Sequence, residues 1–548
     1  MSAAVAYQFE PHERPLFPGG PFTPRHPSWR KTAYFGAALF SGIAATFGNA
    51  LVNVNSSVVA GSAGLYSAEA AWLPAVFIGM NASANLLLVK ARIQFGFHAV
   101  TQALLALYAL ATLVQLAAPG FPAMAAVRAT SGLAGAALIA ITIYDLLQVV
   151  APQHRPHALG VAIVIPQFGT PLARMVPVEF LAHSSWRGLA LTELTVALVS
   201  LLLINLVRIP PGERSRVFEP LDFATIALAV PGYLLIAGVL SQGRLQWWFD
   251  APWLGWMLAA AIPLLTGAIL IERARERPLL LIDWLSGGLM LRFVVIAVLV
   301  RLALAEQTYG SVGLLTSSGL TNDQLRSLFG LVVAAMALGT IVIALAIDPQ
   351  KPERLRHLVL AATLCIALAA WLDSHATSLT RPGQLYLSQA LIGFGTALFI
   401  AAAFLYVFVQ VLLRGPNHLI SVLVVFSTSQ NIGGIAGSAL LGTYQTAHAR
   451  AHAAALAEQL NAGNVALADR LQAGAGAVSG ALADPASRSL QGAGQLTQAL
   501  NREAGVLAYD DTFLFVTLIA LATAALVAGL IFLNAKWARQ AAAQGTSS

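Results

Sequence analysis

Arg301, Arg128 and Arg174 fall well inside long apolar runs, where a guanidinium costs roughly 2.5–3.5 kcal/mol on insertion scales. Groups that expensive persist in hydrocarbon where they surround a passage or pair with one another. Arg301 is followed by Glu306, Gln307 and Tyr309, a series that a helix would carry outward from mid-membrane. These four are the first candidates for binding a solute, the alternative being an arginine that locks two helices through Glu306 or a facing carboxylate. Arg174 could hold an anion or pair with Glu179.

Coupling to a proton needs a carboxyl moved toward neutrality by desolvation, with a neighbour able to displace its proton. Glu306, Glu179, Glu69 and Glu193 are the acids placed for that, Glu306 first. Uncharged polar groups add a binding surface: Asn49, Asn53 and Asn55, Gln167, Gln410, and Gln430 with Asn431, each of which must face protein or a cavity in lipid. Asn49 and Asn53 are one helical turn apart and share a face. Tyr309, Tyr386 and Tyr406 offer aromatic contact, while Trp247 and Trp248 are expected as interfacial anchors. Three embedded arginines tilt the expected cavity toward positive potential, and so toward an amphipathic solute with an anionic group.

Other chemistries find little support. There is no Walker A or H-E-x-x-H motif, so an enzyme is not expected. One cysteine, Cys365, excludes a thiolate metal site within one chain. His448 and His452 have metal-ligand spacing, but Arg450 lies between them and no third ligand is evident, so a solvated helix face is expected and no metal. The basic residues are scattered singly rather than gathered on one face, which speaks against nucleic acid. No cofactor is expected beyond a proton gradient as the energy source.

The elements that must position these residues follow from composition. With 57% hydrophobic and 10% charged residues over 548 positions, the membrane is the solvent. Apolar runs of about 20 residues recur from Thr32 to Phe532, each long enough for one helical crossing. Fourteen runs are expected: residues 1–31 form a disordered cytoplasmic tail, 32–208 a six-helix bundle, 221–272 an inserted pair, 289–444 five further spans, 445–510 a helical hairpin, and 511–548 the last span with a tail. Arginine and lysine, including every lysine, concentrate in alternate loops on the side of the termini, which the positive-inside rule makes cytoplasmic.

Several motifs in this order resemble the major facilitator superfamily, specifically its fourteen-span drug:proton antiporters. Leu51-Val52-Asn53-Val54 resembles the I-V-N-V signature of span 1. Arg128 with Gly132 and Gly135 is similar to R-x-x-x-G-x-x-G in span 4, Trp186-Arg187 to the W-R opening span 6, and Ser429-Gln430-Asn431-Ile432-Gly433-Gly434 loosely to R-Q-x-G-G in span 13. The departures are Gly48, where span 1 usually carries an acid; Ile93, in the acid's place of the loop after span 2; and Gly169-Thr170-Pro171-Leu172-Ala173-Arg174 in place of G-P-x-x-G-G.

The resemblance implies an all-α membrane protein of two six-helix bundles plus two inserted helices, working by alternating access around a midplane site. It implies that Arg128 takes part in proton transfer. It also implies a hairpin that meets a periplasmic membrane-fusion adaptor and an outer-membrane channel. The expected function is inner-membrane export of small amphipathic organic compounds, with membrane lipids around it; an organic-acid importer, or a non-transporting scaffold or sensor, is the alternative.

Overall fold

The computed structural model describes the chain except residues 1–12, 14, 16–19, 178–184, 277, 349–350, 352, 413–417, 461–464, 482 and 546–548. Among the described residues, 13 helices are long and apolar enough to cross a bilayer. They are α1 (Ser28–Val54), α2 (Ser67–Phe95), α3 (Phe97–Ala117), α4 (Phe121–Val149), α5 (Pro152–Met175), α6 (Trp186–Leu206), α7 (Pro220–Gln242), α8 (Pro252–Arg273), α9 (Gly288–Ser317), α10 (Asn322–Ala346), α11 (Glu353–Asp373) and α12 (Pro382–Val411), with α14 (Pro485–Gly545) closing the chain. Between α12 and α14 runs α13 (His418–Glu458), a continuous helix of 41 residues. Its polar run Ser427 to Asn431 dilutes its apolar half, and it is not one of the 13.

Helices α1 to α6 form one bundle and α9 to α14 the other. The pair α7 and α8 packs on α2 and, through α7, on α13. The bundles meet where α2 crosses α13 and where α5 crosses α10 and α12. Small residues permit these approaches, as close helix packing in lipid requires. Gly132 faces the Phe77 carbonyl and Gly135 the Ala45 carbonyl, so α4 lies directly against α2 and α1; the two glycines after Arg128 therefore serve packing.

Tyr34 Oη donates to the Arg208 carbonyl at 2.8 Å and His26 bonds the Gln148 side chain at 2.9 Å. The start of α1 thus shares a face with the ends of α4 and α6, called here the N-terminal face. On it, Lys90 and Arg275 converge on Asp222 at 2.7 Å each, and Arg275 also reaches Glu219 and Glu272 at 2.9 Å. Burial opposes the charge on Arg275, but the Glu219 and Asp222 carboxylates outweigh it and hold the guanidinium's pKa above its ordinary value. This network ties the inserted pair to the end of α2.

The fifth span, α5, ends at Met175: Val176 is extended at φ −67°, ψ 128°, the conformation favoured before a proline such as Pro177. Glu179 lies outside the described residues. The arm after residue 444 is the unbroken end of α13, which stops at Glu458, and a separate helix, Val465–Ala477, packs against α14.

Candidate functional site

Between the bundles lies a cavity of about 730 Å³. On one side it is lined by Asn49 and Asn53 of α1, Asn81 of α2, and Gln167 and Arg174 of α5. On the other stand Arg301 and Tyr309 of α9 and Gln430, Asn431 and Ser438 of α13. It extends toward the N-terminal face as far as Arg92 and Tyr144, and toward the far face as far as Ser57, Ser67 and Arg244.

Each arginine is held by its own local device. Arg301 Nε donates to the Gln430 carbonyl at 3.0 Å. Its stem crosses Gly433 and Gly434, and a Cβ at Gly434 would lie 2.8 Å from the guanidinium. The glycine pair of α13 is therefore a cradle for Arg301. Arg174 donates to Asn322 Oδ1 at 3.1 Å and stacks over Phe329 at 5.2 Å, joining α5 to α10 near the far face. Arg244 donates to Tyr309 Oη at 3.1 Å and covers its ring at 5.2 Å. Arg92 donates Nε to the Leu88 carbonyl at 3.0 Å.

Arg92, Arg174, Arg244 and Arg301 thus line one cavity, and none of the described residues lining it is a carboxylate. In a low-dielectric hollow their fields add with little screening. The walls between them are mixed: amides and hydroxyls beside Phe77, Phe404, Phe426 and Ile435. Both side-chain polar atoms of Gln430, and Asn49 Oδ1, lack a hydrogen-bond partner among the described residues. The cavity therefore offers fixed positive charge, free amide groups and apolar surface together, the donor set for a small molecule with an anionic head and an apolar body.

Two clusters of buried acids stand outside it. Glu193 of α6 forms an ion pair with Arg128 of α4, both 2% exposed. Glu193 Oε1 lies 3.0 Å, and Tyr108 Oη 3.1 Å, from where a Cβ would stand on Gly48. The carboxylate missing from α1 is thus replaced in space by one that reaches over Gly48 from α6. In the other bundle, the Gln389 amide of α12 donates to Asp373 Oδ2 at 2.8 Å and to both oxygens of Glu306 at 3.2 and 3.3 Å. Two carboxyl groups, each no more than 1% exposed, share one amide there. Glu306 opens a π-helical turn, Glu306–Ser311, in α9, a distortion frequent at functional sites.

Residues 38–438 match the family model described as the Major Facilitator Superfamily. The chain belongs to the major facilitator superfamily. Members of this superfamily are membrane transporters, and the chain is a multi-pass membrane protein with their fold. Among solved structures, it is similar to the human organic anion transporter MFSD10 (TETRAN) at TM-score 0.50 and 15% identity, covering 90% of this chain and 100% of that one. It is also similar to the proton:xylose symporter XylE bound to 6-bromo-6-deoxy-D-glucose, at TM-score 0.51 and 12% identity over 90% and 95%. A third is an auto-inhibited POT family peptide transporter, at TM-score 0.51 and 15% identity over 91% and 96%. At these identities the likeness is one of fold. No curated protein matches the sequence.

In this major facilitator fold, not every residue singled out from the sequence reaches the cavity. Glu306 and Gln307 turn away from it: residue 306 opens the π-turn roughly 140° around the helix from Arg301, and it is Tyr309, further along that turn, that lines the cavity. Gln307 meets Gln389 at 3.4 Å instead. Asn55 is 4% exposed and closes the end of α1 by donating to the Leu51 carbonyl at 2.8 Å. Tyr406 lies under Arg356 at 5.8 Å, and neither it nor Gln410 lines the cavity. Glu69 caps α2 through the Tyr66 N–H at 2.9 Å, a helix-end role rather than a membrane-embedded one.

Arg244, Asn81, Asp373 and Gln389 were not anticipated. Arg244 follows α7 in a turn that folds back: Trp247 and Trp248 have φ of 52° and 21°, strained for bulky residues. Trp248 Nε1 donates to Thr443 Oγ1 at 2.7 Å, and Arg450 lies 4.2 Å over Trp247. The tryptophans pin the turn that holds Arg244 in place.

Proposed function

We propose that this chain is a secondary active exporter of small amphipathic organic anions. The observation that carries the reading is a cavity of about 730 Å³ bearing Arg92, Arg174, Arg244 and Arg301 with no carboxylate among the described residues that line it. A lipophilic cation entering it would be desolvated against like charge; an organic anion would gain charge-assisted hydrogen bonds, worth about 1.5–3 kcal/mol each. The structural neighbours include an organic anion transporter, but also a sugar symporter and a peptide transporter, so the solute's charge is argued from the cavity alone. In proteoliposomes, counterflow is expected with aromatic or fatty carboxylates and not with lipophilic cations. Uptake of cations alone would overturn the reading.

Export is taken as proton-coupled antiport from a cytoplasm that holds both termini, in an inner membrane crossed fourteen times with α13 counted as a span. The Glu306–Asp373 pair is the proposed proton site. Two buried carboxyls sharing one amide, with no cation among the contacts described, are best satisfied with one proton between them. Arg128 and Glu193 neutralise one another and serve to orient α4 and α6. Glu306→Gln is expected to keep substrate counterflow while abolishing substrate movement driven by a pH jump; preserved pH-driven movement would remove the pair from coupling.

The ends of α13 and α14 beyond their apolar stretches, with Val465–Ala477 between, are the proposed periplasmic docking element for a membrane-fusion adaptor and outer-membrane channel. Deleting residues 449 to 504 is expected to abolish efflux from cells and spare transport in liposomes. Equal loss in both settings would refute a docking role.

A further inference from the structure

We propose that His448, His452 and Asp511 bind one zinc-like divalent transition-metal ion, clamping α13 to α14 beside the far face. His448 Nδ1 and His452 Nε2 each lie 2.7 Å from Asp511 Oδ2. The three ligand atoms are within 4.8 Å of one another. Zinc–ligand bonds of about 2.0–2.1 Å in tetrahedral geometry place neighbouring ligand atoms about 3.3 Å apart, so the nitrogens need to draw back from the oxygen by about 0.6 Å.

The donor set selects the ion. Two imidazoles and one carboxylate suit zinc and its borderline neighbours, whereas calcium and magnesium require an oxygen shell and soft Cu(I) requires sulfur. The histidines are one turn apart on one helix, and the acid comes from the next, so bonding the metal fixes the two helices together. Side-chain exposures of 37%, 32% and 31% leave an open side where water completes the coordination.

Two surroundings favour occupancy. The Tyr444 ring stacks on His448 at 4.0 Å and on Phe515 at 4.6 Å, a column that limits the imidazole's freedom before a metal arrives. Arg450, which lies between the histidines in sequence, points roughly 200° around the helix from His448 and places its charge over Trp247 at 4.2 Å.

The test uses the full-length chain in nanodiscs, stripped with chelator and titrated with zinc chloride by calorimetry. One zinc per chain and a rise in thermal midpoint are expected, with Co(II) giving the visible absorption of a four-coordinate site. Asp511→Asn and His452→Ala should each weaken binding by about 100-fold or more, beyond the 10- to 100-fold typical of losing an outer-shell partner. Their metal-free thermal midpoints report whether each variant still folds. His154→Ala with His157→Ala removes another histidine pair, whose rings are 5.4 Å apart, and should leave binding intact. No stoichiometric zinc on the wild type, or wild-type affinity in Asp511→Asn, would overturn the site.

Discussion

Arg301→Ala is expected to weaken binding of an organic anion by about 10- to 100-fold, the equivalent of one charge-assisted hydrogen-bonding group worth about 1.5–3 kcal/mol. Among the described contacts the side chain is anchored through Nε, which donates to the Gln430 carbonyl at 3.0 Å, and Arg301 lines the cavity. Arg301→Lys keeps the charge but loses the planar fork, so an intermediate loss is expected. Gly434→Val should act like the alanine variant while leaving the arginine in the sequence. Its Cβ would stand 2.8 Å from the guanidinium, and the side chain must leave its cradle. Equilibrium binding with a labelled carboxylate reads all three. Unchanged Kd in both Arg301→Ala and Gly434→Val would end the assignment of Arg301 to the solute.

A second large effect is expected where α1, α4 and α6 meet. Glu193→Ala leaves Arg128 buried without its acid, a change that typically costs about 3–5 kcal/mol; the variant should unfold at a markedly lower temperature and lose transport. Adding Gly48→Asp to that variant returns a carboxylate from α1 to the same space. The double variant is expected to recover much of the lost stability, whereas Gly48→Asp alone should be damaging. In the wild type its Cβ would already lie 3.0 Å from Glu193 Oε1, and two carboxylates would compete for one guanidinium. Thermal unfolding in detergent decides the matter. A Glu193→Ala protein as stable as wild type, or a double variant no better than the single one, would show that the two positions do not exchange roles.

How much of this was readable in advance differs by residue. Arg301 and Arg174 announced themselves, because a guanidinium inside an apolar run is too costly to be incidental. Asn49, Asn53 and Asn431 were legible for the same reason. What a linear reading lacks is rotation about each helix axis and proximity between distant segments. Glu306 lies five residues from Arg301 yet faces the other way, toward Asp373 and Gln389. Arg244 gives no signal in the sequence: it stands outside the long apolar runs, and the left-handed turn at Trp247 accompanies its return to the cavity. The acid absent at Gly48 read only as a departure from the family pattern, since nothing in the sequence ties position 48 to position 193. His448 and His452 lacked a third partner for the same cause, Asp511 being 59 residues beyond the nearer one. The helices themselves were the easiest to read; their ends were set by local chemistry such as Val176 before Pro177.

The continuity of α13 and α14 has a mechanical consequence. At about 1.5 Å per residue, the 61 residues of α14 make a rod roughly 90 Å long, about three times the hydrocarbon thickness of a bilayer. From Pro485 to Asp510 it extends roughly 40 Å ahead of its apolar stretch. Any tilt of the second bundle is therefore amplified at the tip: a swing of about 10° displaces it by roughly 7 Å. A rigid lever of that reach would let a molecule gripping its end sense which way the transporter is facing.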